Sequence, residues 1–162
     1  MTPLLTGLLG TFLVVYVIQK FRGHPEGASA LAGRYGLAVM FLMTGVSHFI
    51  SIEPMAEMVP PPFPPVPTVL ATGVLEILGA VGLLIPGRSR VAAFCLFAFL
   101  LAVFPANIYA AMNEAGMGGH AEGVGYLWQR VPFQVFLLGW TWLFGIRLNR
   151  AGGARSAHAR FV

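Results

Sequence analysis

The sequence predicts an all-α membrane protein that crosses the bilayer five times, with its N-terminus outside and its C-terminus in the cytoplasm. Three observations lead there. Only 10% of the 162 residues are charged while 57% are hydrophobic, against about 25% charged in a soluble domain, so the charges are too few to cover a water-facing surface. Five stretches approach the ~20 mostly apolar residues that a membrane helix needs. When these are drawn through a bilayer, nine of the ten basic residues fall on one side, the asymmetry expected of cytoplasmic loops.

The first stretch is Pro3–Phe21. Behind it, Ala28-Ser29-Ala30 looks like a signal-peptide cleavage site, but no positive charge precedes the apolar run, and Lys20 and Arg22 follow it. That order is the reverse of a secretory signal, so a retained first helix is expected. The second stretch, Ala30–Ile50, ends beside His48. The third, fourth and fifth are Val66–Ile85, Arg90–Met112 and Trp128–Ile146. Short loops make consecutive helices antiparallel neighbours. The inner loops carry Lys20, Arg22, Arg34, Arg88 and Arg90, and the tail Arg147, Arg150, Arg155 and Arg160. The outer loops carry Glu53, Glu57, Glu114 and Glu122, with Arg130 as their one base. Four spans would scatter these charges. The expected organisation is an N-terminal helix and cytoplasmic loop over 1–29, a four-helix membrane core over 30–147 and a basic cytoplasmic tail over 148–162.

In the first outer loop, Met55, Met58 and Val59 fall at helical spacing, as in a short amphipathic helix lying in the interface. The proline-rich run from Pro60 to Pro67 then forces a stiff, extended backbone. It is expected to form a lid over the outer mouth of the bundle and to feed the third span with Pro67 in its first turn. The second outer loop is glycine-rich, and His120 within it reads as a solvated loop histidine.

The chain is basic, with net charge +4 and pI ≈ 9.8. Its basic residues sit singly at helix ends, not in a patch with aromatics, which argues against nucleic acid and for anchoring to an anionic leaflet. The single cysteine, Cys95, cannot form an internal disulfide and belongs to no CxxC; in an apolar helix it reads as a small buried hydrophobe. His24, His48, His120 and His158 offer no metal-ligand spacing, so no metal is expected.

Ionisable groups in hydrocarbon cost at least ~2.5 kcal/mol at a helix centre and are functional candidates by default. Glu76 sits near the middle of the third span. Its same-face neighbours Thr72, Gly73, Gly79 and Ala80 are mostly small and point it into the bundle. It suits a proton carrier or ligand anchor, or a structural interhelix bond. Arg130 and Gln134 lie one turn apart at the outer end of the last span, with Thr141 further down the stripe and Trp128, Trp140 and Trp142 as interface anchors or lipid contacts. Arg130, alone against the charge rule, needs Glu76, an outer-loop glutamate or an anionic ligand, and its planar fork suits an oxyanion; the plainer reading is a snorkelling arginine. His48 ends the second span with Thr44 and Ser51 close by. Asn107 follows the helix-kinking Pro105, where it either satisfies a freed backbone group or faces the same cavity. Together His48, Glu76, Asn107, Arg130 and Gln134 form an outward-facing polar pocket in the outer half of the bundle, with nothing comparable in the inner half.

At these residues the chain resembles the DoxX family of small bacterial membrane proteins, in its broad DoxX-like sense. The resemblance runs through Phe41-Leu42-Met43-Thr44-Gly45-Val46-Ser47-His48-Phe49, Val59-Pro60-Pro61, and Gly73-Val74-Leu75-Glu76-Ile77-Leu78-Gly79-Ala80. It continues through Gly82-Leu83-Leu84-Ile85-Pro86, Phe104-Pro105-Ala106-Asn107-Ile108-Tyr109 and Arg130-Val131-Pro132-Phe133-Gln134, covering about Ala30 to Ile146. It implies a four-helix membrane core, to which the Pro3–Phe21 helix is an addition, in a bacterial cytoplasmic (inner) membrane. Some DoxX-like proteins look like membrane subunits of thiosulfate–quinone oxidoreductases; others resemble partners of oxidoreductases or assembly chaperones. The family supplies no settled catalytic set, so the catalytic residues stay unknown and the enzymatic status open.

Three functions compete. In a quinone-linked or other redox membrane subunit, the pocket holds a quinone head; the chain has no site for a haem or iron–sulfur centre, so electrons come from an oxidoreductase partner. In a scaffold or assembly chaperone for another membrane protein, the polar residues are structural. A small-solute transporter is disfavoured by five short helices without an inverted repeat. Quinone is the cofactor candidate, the bilayer is a certain partner, and a homo-oligomer is compatible with the sequence.

Overall fold

The computed structural model describes residues 2–24, 27–116 and 119–149. The tail from Arg150 onward, with Arg155, His158 and Arg160, lies outside the described residues. Every regular element among the described residues is helical: α1 (Thr2–Phe21), α2 (Ala28–Ile50), α3 (Ile52–Ala56), α4 (Pro65–Leu84), α5 (Ser89–Met112) and α6 (Leu127–Trp140), the last continued by a π-helical segment Thr141–Arg147. Two 3₁₀ turns, His120–Glu122 and Val124–Tyr126, precede α6. The ends fall within two residues of those expected, because charges, glycines and prolines bound each apolar run. α4 opens with Pro65 and Pro67 in its first turn, where a missing N–H costs nothing. Four helices, α1, α2, α4 and α5, are long and apolar enough to cross a membrane.

The bundle is organised around α2, which packs against α1, α4 and the π segment, while α5 packs against α4 and the π segment. In lipid, where apolar side chains gain little by leaving their solvent, packing contact drives helix association, and small residues allow it. A Cβ on Gly36 would lie 2.6 Å from the Leu8 carbonyl oxygen of α1, and one on Gly79 2.5 Å from Leu96 of α5. The core holds Leu8, Leu37, Phe41, Leu83, Leu96 and Ile146. Trp140 belongs to the bundle and is not a lipid-facing anchor: its indole N–H donates to the Gly33 carbonyl at 3.1 Å, and its ring meets Phe12 edge-on at 5.2 Å. Trp128 and Trp142 are exposed, as expected of interface or lipid contacts.

Three features depart from the sequence reading. Cys95 is exposed and not buried, because it falls on the outer face of α5 between the inward Ala93 and Leu96. The end of the bundle opposite His48 has its own polar cluster: Arg34 Nη1 donates to Ser89 Oγ at 2.8 Å and to Asn149 Oδ1 at 3.1 Å, and Asn149 Nδ2 donates to Ser89 Oγ at 2.9 Å. Composition hid this cluster, since each residue sits at a helix end where polar groups are ordinary. At the His48 end the short helix α3 forms, but Pro61–Pro67 is exposed throughout. The covering contact comes from Met58, which fills the place of a side chain on Gly116 at φ +84°. Nearby, Glu57 Oε2 accepts the Gly116 N–H at 3.2 Å. The α3–α4 and α5–α6 connections are thus tied together beside the proline run.

Candidate functional site

The site starts from two glycines. Gly45 on α2 faces Gly73 on α4, and a Cβ on either would lie 3.1 Å from the other's carbonyl oxygen. This close crossing brings the last turn of α2 onto one stripe of α4, formed by Val69, Thr72, Gly73 and Glu76 at helical i, i+3, i+4, i+7 spacing. His48 is therefore laid along α4. Its Nδ1 lies 3.0 Å from the Val69 carbonyl oxygen and 3.1 Å from Thr72 Oγ1. Its Nε2 lies 3.8 Å from Glu76 Oε1.

The contacts fix the tautomer of His48. A carbonyl oxygen can only accept, so the bond to Val69 requires a proton on Nδ1. Thr72 fits this, because its hydroxyl donates to the carbonyls of Thr68 at 3.0 Å or Val69 at 2.9 Å and so offers a lone pair to Nδ1–H. Nε2 is left to face Glu76. Thr44, one turn before His48, bonds back to its own helix at Phe41, 3.2 Å away, and also bears on the Glu76 carboxylate.

Glu76 is buried, with 8% relative exposure, and its Oε2 has no hydrogen-bond partner among the described residues. Arg130 comes from α6 and interacts coulombically with both Glu76 and Tyr126. Its guanidinium carbon lies 5.8 Å from the Phe133 ring centroid, in cation–π range, and its Nε has no hydrogen-bond partner among the described residues. Gln134, one turn further on, is 2% exposed. Its Nε2 donates to the Leu100 carbonyl of α5 at 2.6 Å, while its Oε1 has no hydrogen-bond partner among the described residues. Leu100 neighbours Leu101, the carbonyl that Pro105 deprives of its helical N–H.

The structure therefore joins His48 to Glu76 directly and Arg130 to Glu76 through charge, with Gln134 beside Arg130 on the same face of α6. Asn107 stands apart. It is buried, but its Nδ2 donates to Val103 on its own helix at 3.1 Å, so it neither joins Glu76 nor serves the carbonyl freed by Pro105. The Arg130 end of α6 adds a residue that sequence reasoning missed. Tyr126 is buried, four residues before Arg130; extending the last helix by two residues toward the N-terminus would have placed both on one face. Burial pushes its phenol above the usual range, against the pull of Arg130. His120 is corrected from a solvated histidine to a buried one, because its ring packs edge-on against Tyr126 at 4.8 Å.

A cavity of about 490 Å³ opens near the same end, lined by Val124, Leu127, Trp128, Val131 and Pro132. At 100° per residue, Leu127 and Val131 lie on the same side of α6 as Gln134, while Trp128 and Pro132 lie well round the helix from it. The groove's lining is apolar and includes none of His48, Glu76, Arg130 and Gln134.

A family model for a domain of unknown function, DUF8561, matches residues 37–145. The chain belongs to the DUF8561 family. No curated protein and no solved structure matches it. The DUF8561 region contains all five candidate residues, from His48 to Gln134, and leaves out α1 and the Arg34 and Asn149 members of the Arg34–Ser89–Asn149 cluster. Among the described residues no group of three or more His, Cys, Asp or Glu could hold a metal ion.

Proposed function

We propose that this DUF8561 protein is a DoxX-like, five-span protein of the bacterial inner membrane, with its N-terminus outside. In this reading it serves as a redox-associated subunit that binds a quinone-type ligand in the outer half of the bundle. The observation that carries this reading is the His48–Glu76 contact at the α2–α4 crossing, with Arg130 bearing on the same carboxylate. Groups of this kind inside a membrane are expensive to bury and are kept where a proton or ligand uses them. The fifth span is supported by the last helix, which stays helical from Leu127 to Asn149; at 1.5 Å per residue it is roughly 34 Å long, enough for a ~30 Å hydrocarbon core. The orientation follows from the basic residues of the loops and tail. With no electron-carrying centre in its sequence pattern, the protein would take electrons through an oxidoreductase partner.

The test is a melting series in detergent. A quinone or quinol analogue is expected to raise the melting temperature of the native protein and not that of Arg130→Ala, while Arg22→Ala behaves like the native chain. If no analogue shifts the native protein, the reading fails. A second reading, a scaffold or assembly chaperone, is favoured by Gln134 and Asn107, both of which bond backbone carbonyls as structural residues do. Glu76→Gln would then cost modest stability, and the native chain would pull down one stoichiometric partner.

A further inference from the structure

We infer that the arginine-lined end of the bundle, opposite His48, is a docking site for an anionic phospholipid, its phosphate on Arg90 and one acyl chain along the edge of α5 beside the last helix. This site lies at the other end of α2 from His48 and needs nothing from the His48–Glu76 cluster.

Contacts gather three helices at this end. Arg34 of α2 donates to Ser89 at the head of α5 and to Asn149 at the foot of the last helix, 2.8 Å and 3.1 Å away, and Asn149 donates to Ser89 at 2.9 Å. Arg88 and Arg90 flank Ser89 in the chain, and Arg147 stands two residues before Asn149. Four arginines therefore surround one contact between helix ends, at the limits of helices long and apolar enough to cross a membrane. Their counter-charge is missing from the described residues. Glu53, Glu57, Glu114 and Glu122 lie on the connections at the His48 end, where Glu57 bonds Gly116, and Glu76 lies within α4 against His48. Glu26 lies outside the described residues.

Water can meet a free N–H, but it does not neutralise four positive charges. An anion does, and the planar fork of arginine fits the paired oxygens of a phosphate. Apolar surface beside the arginines selects a lipid phosphate over a soluble one. The Arg90 guanidinium carbon lies 5.6 Å from the Phe94 ring centroid. Phe94, Phe97 and Leu101 follow Arg90 at i+4, i+7 and i+11, on one stripe of α5, and Phe94 and Leu101 are exposed. Beside this stripe α5 meets the last helix closely. A Cβ on Gly145 would lie 2.7 Å from Ala93 Cβ, and the Phe97 ring lies 6.1 Å from that of Trp142, which is exposed. At 1.5 Å per residue the stripe runs from about 6 Å to about 16 Å beneath Arg90, within the reach of an acyl chain below its headgroup. A basic cluster between helix ends above such a face is how helical membrane proteins hold anionic headgroups. Diffuse attraction to a charged leaflet would draw equally on Lys20 and Arg22; Arg90 over an aromatic stripe gives it one place.

The experiment titrates the delipidated native protein, in a non-ionic detergent, with phosphatidylglycerol, with phosphatidylcholine of the same chains and with inorganic phosphate, counting bound molecules by native mass spectrometry. The expected result is one saturable phosphatidylglycerol, bound at least tenfold tighter than phosphatidylcholine, with no binding of inorganic phosphate over the same range. Equal binding of the two lipids overturns the role of charge, and inorganic phosphate bound as tightly as phosphatidylglycerol overturns the role of the chain. Arg90→Gln is expected to lose the preference at an unchanged melting temperature. Lys20→Gln, which removes an equal charge from α1, is expected to keep it; equal loss in both variants shows diffuse attraction and overturns the site. The native chain supplies a check that no variant can confound. Its preference should fall as salt rises from 0.1 M to 1 M, where the Debye length shrinks from about 10 Å to about 3 Å; a preference indifferent to salt overturns the phosphate contact.

Discussion

Replacing Gly73 by alanine tests the crossing on which the site is built. The added methyl would lie 2.7 Å from His48 Cβ, 3.0 Å from Phe49 Cε2 and 3.1 Å from the Gly45 carbonyl oxygen. Neither a Cβ nor a carbonyl oxygen can move without its helix, so α2 and α4 must separate by several tenths of an ångström. Overpacking of this kind costs about 1–3 kcal/mol. Against it stands the gain of alanine over glycine in a helix, about 1 kcal/mol. The net loss is therefore up to about 2 kcal/mol, or some 4–8 °C in melting temperature for a chain of this size. Gly10→Ala and Gly139→Ala isolate the second term, because no atom lies within 4 Å of a Cβ at either position; both are expected to be neutral or slightly stabilising. Gly45→Ala meets Ile77 Cγ1 at 2.7 Å as well as the Gly73 carbonyl, and β-branching holds that side chain stiff. Since the two substitutions open the same contact, their costs should be less than additive. Differential scanning fluorimetry in one detergent measures all five variants. If Gly73→Ala melts with Gly139→Ala, the close crossing does not exist and His48 has no fixed place against Glu76.

Three further outcomes follow from contacts away from that crossing. Gln134→Leu removes the 2.6 Å bond to the Leu100 carbonyl and should cost about 0.6–2 kcal/mol, the range for interhelical polar contacts in membranes, read as a lower melting temperature. Arg34→Ala breaks bonds to both Ser89 and Asn149; at about 1.5–3 kcal/mol for a hydrogen bond to a charged group, it should destabilise the fold more than Gln134→Leu while leaving quinol affinity unchanged. Cys95 should react with a membrane-permeant maleimide in the folded protein, since it faces outward, and Cys95→Ala should change stability by no more than about 0.5 kcal/mol.

The helices were legible because their signal is local: an apolar run of sufficient length, bounded by Pro65 and Pro67 on one side of α4 or by Ser89 and Arg90 at the head of α5, needs no partner to be read. Glu76 was legible for the same reason, since a carboxylate amid Gly73, Gly79 and Ala80 stands out in any membrane helix. What the pattern could not supply was azimuth and exact reach. Asn107 looked equivalent to Gln134, but on α5 it turns back to Val103, while Gln134 crosses to the neighbouring helix. His120 and Cys95 were misread in opposite directions, because loop membership says nothing of the Tyr126 ring waiting beside His120, and an apolar helix says nothing of which side Cys95 faces.

The cluster itself is a consequence of tertiary geometry more than of composition. Two glycines, each within one helical turn of the titratable group on its own helix, set how far apart α2 and α4 stand, and that spacing turns a terminal histidine and a mid-helix glutamate into a pair. Arg130 then gains its meaning from the pair. Without Glu76 in electrostatic range it would be a single outer-leaflet arginine against the charge rule; with it, a buried carboxylate has a counter-charge whose Nε is still unmet. Arg130 Nε and Glu76 Oε2 each have no hydrogen-bond partner among the described residues. A cluster kept only for packing would tolerate Arg130→Lys, whose single ammonium preserves the charge. A ligand oxygen held by the planar fork would not, because lysine lacks the directed Nε–H. Comparable binding of a quinone analogue in Arg130→Lys and the native chain would therefore count against the ligand reading, and a selective loss of that binding at unchanged melting temperature would count for it.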